Sequence, residues 1–276
     1  MLDLAQYSTT ILGLAFAACA VVIAFFGSKM AGYADIIADR TGFGEALIGS
    51  VLLGAGTSMP GIVTSITTAA SGAADLSVSN AMGGIVAQTM FLALADIFYK
   101  RVNLEHAGVS AVNLGQATVL IVLIALPVMA WAAPPFAIWG VNPLSPVLIA
   151  VYLIGLSGAL VGSLATATVT SLPELVTTIA AVRRRAPQLA IGGIVGGNMF
   201  DSLFVAASDF AYREGSIYHA ISDATLFWMG LVIVMTAVLL LGMLRREREG
   251  PGKIGWESVM LIGLWAIGTG LQIYRG

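Results

Sequence analysis

Long apolar runs separated by short charged gaps cover nearly the whole chain. A membrane helix needs about 20 apolar residues. The runs predict helices near 9–39, 44–70, 76–99, 109–132, 144–182, 188–211, 220–244 and 254–274. The second and fifth are interrupted by TSMP (57–60) and TSLP (170–173). Proline removes a backbone donor and clashes with the preceding turn. In lipid such a break is tolerated only where it lines protein or a cavity. The expected fold class is an all-α polytopic membrane protein with about eight crossings and Pro-broken central helices, in a single membrane domain over 1–276.

Composition supports that class. Charged residues make up 10% of the chain, against about 25% in soluble domains, and the mean hydropathy is +0.92. No large soluble domain fits between the runs. No basic run suits nucleic acid, and the single Cys19 rules out an intrachain disulfide. The N-terminal MLDLAQYSTT lacks the positive region of a signal peptide, so the first run is read as a retained helix.

Positive residues orient a membrane chain. Arg40, Lys100 and Arg101, Arg183 to Arg185, and Arg245, Arg246, Arg248 and Lys253 all fall in gaps. The alternate gaps, SGAAD, WAAPPFAIWGVNP and YREGSIYH, hold little positive charge apart from Arg213. Eight crossings with both termini outside place every basic cluster in the cytoplasm. The stretch 144–182 fits this plan poorly. As one straight helix at 1.5 Å per residue it would run about 58 Å, against a hydrocarbon core of about 30 Å. Part of 134–158 is expected to lie at the interface, tilt or re-enter.

The two broken helices belong to a duplication. Residues 49–91 and 162–204 align without a gap at a constant offset of 113, sharing Gly49/Gly162, Thr57/Thr170, Ser58/Ser171, Pro60/Pro173, Gly84/Gly197 and Phe91/Phe204. The match begins near Gly42/Gly155 and fails upstream. The halves are read as 9–132 and a shortened 144–275. Opposite orientation of the two broken helices makes the repeats inverted. Duplicated, interrupted helices of this kind build ion sites near the bilayer midplane.

The breaks place the hydroxyls of Thr57, Ser58, Thr170 and Ser171 near mid-membrane, as hard oxygen donors suited to Na⁺ or Ca²⁺. Glu174 follows the second break directly. A carboxylate there is a functional candidate by default. Asp201 lies one turn beyond Gly197, and Gln88, its repeat mate, one turn beyond Gly84. Plainer roles compete with these. Membrane Ser and Thr often bond their own backbone, glycines let helices pack closely, and Gln88 can act as interhelical glue. Asp35, Asp39 and Glu45 read as interfacial partners of Lys29 and Arg40, and Asp75, Glu214, Glu247 and Glu249 as solvated. His106 and His219 lack metal-ligand spacing.

GTSMP and VTSLPE, each followed by a glycine-rich helix with NAMGG or GGIVGGN, resemble the alpha repeats of the sodium/calcium exchanger family, in the cation/calcium exchanger superfamily. The resemblance covers about 10–100 and 155–275. It implies a fold of ten helices in two inverted halves, in which four central helices hold Ca²⁺ or Na⁺ and the first helix of each half packs outside and gates access. Thr57, Ser58, Thr170, Ser171 and Glu174 match the family's ligand motif. Asp201 matches the acidic or amide position that follows, and Gln88 stands where Asn or Asp is usual. Gly61 replaces the Glu that ends the first motif, so Gly61→Glu is expected to tighten Ca²⁺ binding. The gating helix of the second half is expected to be missing.

The resemblance implies a secondary antiporter in the cell membrane, exchanging Ca²⁺ or another cation for Na⁺ or H⁺. Its partners would be inorganic cations and lipid, with no cofactor. A cation-binding or regulatory membrane protein without transport is the alternative. No constellation for an enzyme appears in the spans.

Overall fold

A computed structural model describes residues 8–55, 57–99, 102–159, 172–248, 250 and 254–275. Helix α1 (Thr9–Thr41) starts on Ser8, whose hydroxyl accepts the Ile11 N–H. It stops at Gly42, which takes a left-handed φ of 72° and returns its N–H to Ala38 O, a common glycine stop. α2 (Glu45–Ile48) passes directly into a π-helical segment, Gly49–Ala55. α3 (Met59–Ala70) carries Pro60 in its first turn, where a missing N–H leaves no helical bond unmade. The axis bends by 44° between 45–55 and 60–70.

α4 (Ala74–Tyr99), α5 (Leu104–Gly108), α6 (Ala111–Ala132), α7 (Leu144–Ala159), α8 (Leu172–Arg183), α9 (Pro187–Ala211), α10 (Asp223–Arg245) and α11 (Trp256–Arg275) follow. Among the described residues five helices are long and apolar enough to cross a membrane, and the bent α2–α3 pair makes a sixth. The expected run 144–182 divides into α7 and α8; its connection, 160–171, lies outside the described residues. α11 occupies the expected final run.

α9 is the central helix, with its apolar window 89% buried against 24% for α1. The π-helical segment lies directly on it. A Cβ on Gly54 would overlap Gly193 O and Gly197 N, and one on Gly49 would overlap Leu189 O. Backbone contact of this kind needs small residues on both helices. α1 lies outside, against α8, where Gly27 meets Val176 and Gly32 meets Arg184.

The offset of 113 reappears in hydrogen bonds. Near the end of α4, Asp96 accepts from Leu104 N at 2.7 Å, Gly255 N at 2.9 Å and Ser258 Oγ at 3.0 Å. Near the end of α9, Asp209 accepts from Ile217 N at 3.0 Å, Asn142 N at 2.7 Å and Ser145 Oγ at 2.7 Å. The pairs 96/209, 104/217, 142/255 and 145/258 all keep the repeat spacing. The two aspartates gather opposite sets of connections, since α6 and α10 each run from one set to the other. α4 and α9 are therefore antiparallel, and the repeats are inverted. Glu45 accepts Leu189 N, Asn113 donates to Gln188 O, and Asn103 N donates to Arg248 O. These bonds bring Arg40, Arg184, Arg185, Arg246 and Arg248 to one face.

The expected pairing of Asp35, Asp39 and Glu45 with Lys29 and Arg40 is not found. Lys29 lies over the Phe25 ring at 4.6 Å, Glu45 caps α9, and among the described residues the ion pair within 4 Å is Arg245–Glu247. Asp75 is not simply solvated: it accepts Ser222 N and Thr225 Oγ1 at the start of α10.

Candidate cation site

The bend between the π-helical segment and α3 faces the start of α8, with α4 and α9 closing the centre. Thr57, Ser58, Gln88, Glu174 and Asp201 are all buried there. Ser58 Oγ donates to Glu174 Oε1 at 3.3 Å, joining the two repeats. Gln88 Nε2 donates to Asp201 Oδ2 at 2.8 Å. These repeat mates thus bond one another across α4 and α9. Thr57 spends its hydroxyl proton on Leu53 O at 2.6 Å and Gly54 O at 3.2 Å, the plainer of its two expected roles, while its oxygen keeps free lone pairs. Thr170 and Ser171 lie outside the described residues.

A cavity of about 30 Å³ opens between Ser58, Gly61, Gly84, Gln88, Asp201 and Phe204. Space on that scale holds a water or an ion. Glu174 Oε2, Asp201 Oδ1, Gln88 Oε1 and Asn198 Oδ1 are buried without a hydrogen-bond partner. Buried polar atoms are normally paired. Among the described residues no basic side chain lies within 4 Å of either acid, so these four acceptors are short of positive charge, which a cation or protons would supply. Among the described residues no three His, Cys, Asp or Glu side chains gather to hold a metal ion. Among the described residues the centre offers two carboxylates and neutral oxygens.

Gly61 lines the cavity but is crowded: a Cβ there would lie 2.5 Å from Phe204 Cε2 and 3.1 Å from its Cζ, so the ring would have to shift. The aromatic ring fills the room that a longer side chain would need. The Gly61 carbonyl instead accepts Asn80 Nδ2 at 3.1 Å.

Two amides were not singled out from the sequence. Asn198 donates to Thr89 Oγ1 at 2.8 Å across α9 and α4, and Asn80 bonds Ser65 Oγ at 3.0 Å. Their signal was an amide inside an otherwise apolar, glycine-rich helix.

Two inverted repeats crossing at a buried pair of carboxylates define a class of membrane protein built around a central polar site. The chain belongs to the sodium/calcium exchanger protein family, whose model matches it twice, over residues 11–154 and 135–274. It is 33% identical over 122 residues to sodium/potassium/calcium exchanger 2 of Gallus gallus, covering 44% of this chain and 18% of that protein. It is also 33% identical over 106 residues to sodium/potassium/calcium exchanger 1 of Bos taurus, covering 38% of this chain and 9% of that one. The aligned stretch thus spans less than a fifth of either relative. Two solved structures of the sodium-calcium exchanger NCX_Mj share the fold. The one soaked with zero Na⁺ and Ca²⁺ has a TM-score of 0.70 at 18% identity, covering 95% of this chain and 99% of that one. The one soaked with 10 mM Na⁺ and zero Ca²⁺ gives 0.73 at 17% identity, with 94% and 98% covered.

Proposed function

We propose that the protein is a secondary antiporter that moves Ca²⁺ or another hard cation in exchange for Na⁺ or H⁺. The carrying observation is the buried pair Glu174 and Asp201, which face the crossing with unpaired oxygens and, among the described residues, no basic partner. The names of the exchanger relatives support the substrate class.

In this reading Glu174 binds the cation and releases it to the competing ion. It sits in the first turn of α8, where the helix dipole favours its negative charge. Asp201, held by Gln88, coordinates or carries a proton. Thr57, Ser58, Thr170, Ser171 and Gln88 supply neutral oxygens. Rocking of the repeats around a fixed site gives alternating access, and the peripheral α1 is the element placed to slide along α8. The cell membrane is the proposed location.

The test is cation uptake into proteoliposomes driven by a Na⁺ or H⁺ gradient. Glu174→Gln should abolish gradient-driven uptake, and unchanged uptake would sink the assignment. A non-transporting cation-binding protein is the second reading, favoured by the crowded position at Gly61. Saturable binding without any flux would select it.

A further inference from the structure

Asp96 and Asp209 do the same structural work at opposite faces, yet their surroundings differ in charge. Around Asp209 the repeat positions are Leu144, Ser216 and Tyr218; around Asp96 they are Glu257, Asn103 and Glu105. Neutral residues suffice in the second copy: Tyr218 Oη and Ser145 Oγ share a 2.7 Å hydrogen bond, and Asn142 Nδ2 donates to Ser216 Oγ at 3.1 Å. The two extra acids of the first copy are therefore surplus to closing the connection.

They are also poorly satisfied. Ser258 Oγ approaches Asp96 Oδ2 at 3.0 Å and Glu105 Oε1 at 3.3 Å, and its one proton cannot fully serve both. Glu105 Oε2, Glu257 Oε2 and Asn103 Oδ1 have no partner, although each residue is only 1% exposed. The three side chains converge at Gly255. A Cβ on Gly255 would lie 2.6 Å from Glu257 Oε2, 3.3 Å from Glu105 Oε2 and 3.5 Å from Asn103 Cγ. No basic side chain lies within 4 Å of these carboxylates among the described residues. The nearby Arg245 is engaged by Glu247 at 3.3 Å and stacks on the Trp256 ring at 5.2 Å.

We infer that Glu105, Glu257 and Asn103 form a second cation site on the arginine-bearing face, separate from the membrane centre and suited to a hard divalent ion such as Ca²⁺. Two carboxylates and an amide oxygen match the oxygen preference of that ion. Their two negative charges match its charge. The set holds two acids rather than a cage of three, which leaves the remaining positions to water. Asp96 is engaged by its own three donors and orients the site rather than binding. The ion would tie α5 to the start of α11, joining the α4–α6 and α10–α11 connections.

Protons compete for the same oxygens. Burial, and then the charge of Asp96, push the Glu105 carboxyl up to about 8. Glu257 on α11 is the other charge that acts on Glu105, while Arg245, at the end of α10, and Glu247 beyond it act on Glu257; His106, next to Glu105, turns its Nδ1 to Arg246 O at 2.7 Å.

The test is calorimetric Ca²⁺ titration of the full chain in detergent, with the central site disabled by Glu174→Gln and Asp201→Asn. Saturable binding should persist in that background and weaken at least tenfold when Glu105→Gln or Glu257→Gln is added. Loss of all binding in the background, or no change on adding the second substitutions, overturns the site. Should the combined variants not fold, the Ca²⁺-induced rise in melting temperature of the single Glu257→Gln protein decides: a smaller rise than in the unsubstituted chain supports the site, and an equal rise overturns it. A melting temperature that responds to pH in the disabled background but not to Ca²⁺ marks a proton site only, and also overturns it.

Discussion

At the scale of single residues, the centre is a pair of acids, each held by a neutral partner from the other repeat. Asp201→Asn removes one charge while keeping the shape next to Gln88. Gradient-driven divalent uptake should fall by at least about tenfold, equivalent to about 1.4 kcal/mol, as measured by initial rates in proteoliposomes. Gly61→Glu alone should not improve Ca²⁺ binding, because its side chain meets the Phe204 ring. Overpacking of this kind costs about 1–3 kcal/mol, so the melting temperature should drop; an unchanged melting temperature with tighter Ca²⁺ binding would show that the ring yields. Glu105 gives a pH signature. Its carboxyl is raised from 4.5 to about 8 in the folded chain, so the native state holds the proton more tightly than the unfolded state. The resulting stability is full below about pH 4.5 and is lost as pH rises through about 8. Thermal unfolding without divalent ions should show that decline, and Glu105→Gln should flatten it. Glu174 and Asp201 were legible in the sequence because a charge inside an apolar run stands out. Glu105 and Glu257 were not, because acids beside Arg-bearing gaps look solvated, and only the three-dimensional closure of α5 on α11 buries them.

At the scale of elements, the interrupted helix is the informative unit. TSMP announced a break, and the structure places a 44° bend there. The π-helical turns before it were not legible, since they follow from the fit of Gly49 and Gly54 onto the α9 backbone. π-helical turns are often found at functional sites. Gly54→Ala should push the two backbones apart, with a stability loss of about 1–3 kcal/mol and reduced uptake; a melting temperature equal to that of the unsubstituted chain would show that the contact is loose. The shared spacing 142/255 and 145/258, with matching bonds to Asp209 and Asp96, makes the start of α7 the counterpart of the start of α11. We propose that α7 closes the first half, rather than opening the second as the division into 9–132 and 144–275 had it. α1 then has no counterpart at the repeat spacing, since residues 122–154 fall in α6, α7 and their connection.

At the scale of the whole molecule, the scaffold is symmetric and the chemistry is not. The inverted halves repeat their backbone ties at both faces, while both central acids come from the second copy and both surplus acids at the arginine-bearing face occupy positions where the other copy is neutral. The duplication was legible as a constant offset, which also reaches Asp96 and Asp209 once their bonds are known. The two proposed cation sites lie at these asymmetric positions. The proposed role of Glu174 and Asp201 is to carry a cation across the membrane. It is tested most directly by Ca²⁺ uptake into proteoliposomes under an outward Na⁺ or H⁺ gradient, comparing the unsubstituted chain with Glu174→Gln. Gradient-dependent uptake should appear in the unsubstituted chain and disappear in Glu174→Gln; equal uptake in the two proteins would contradict transport through Glu174.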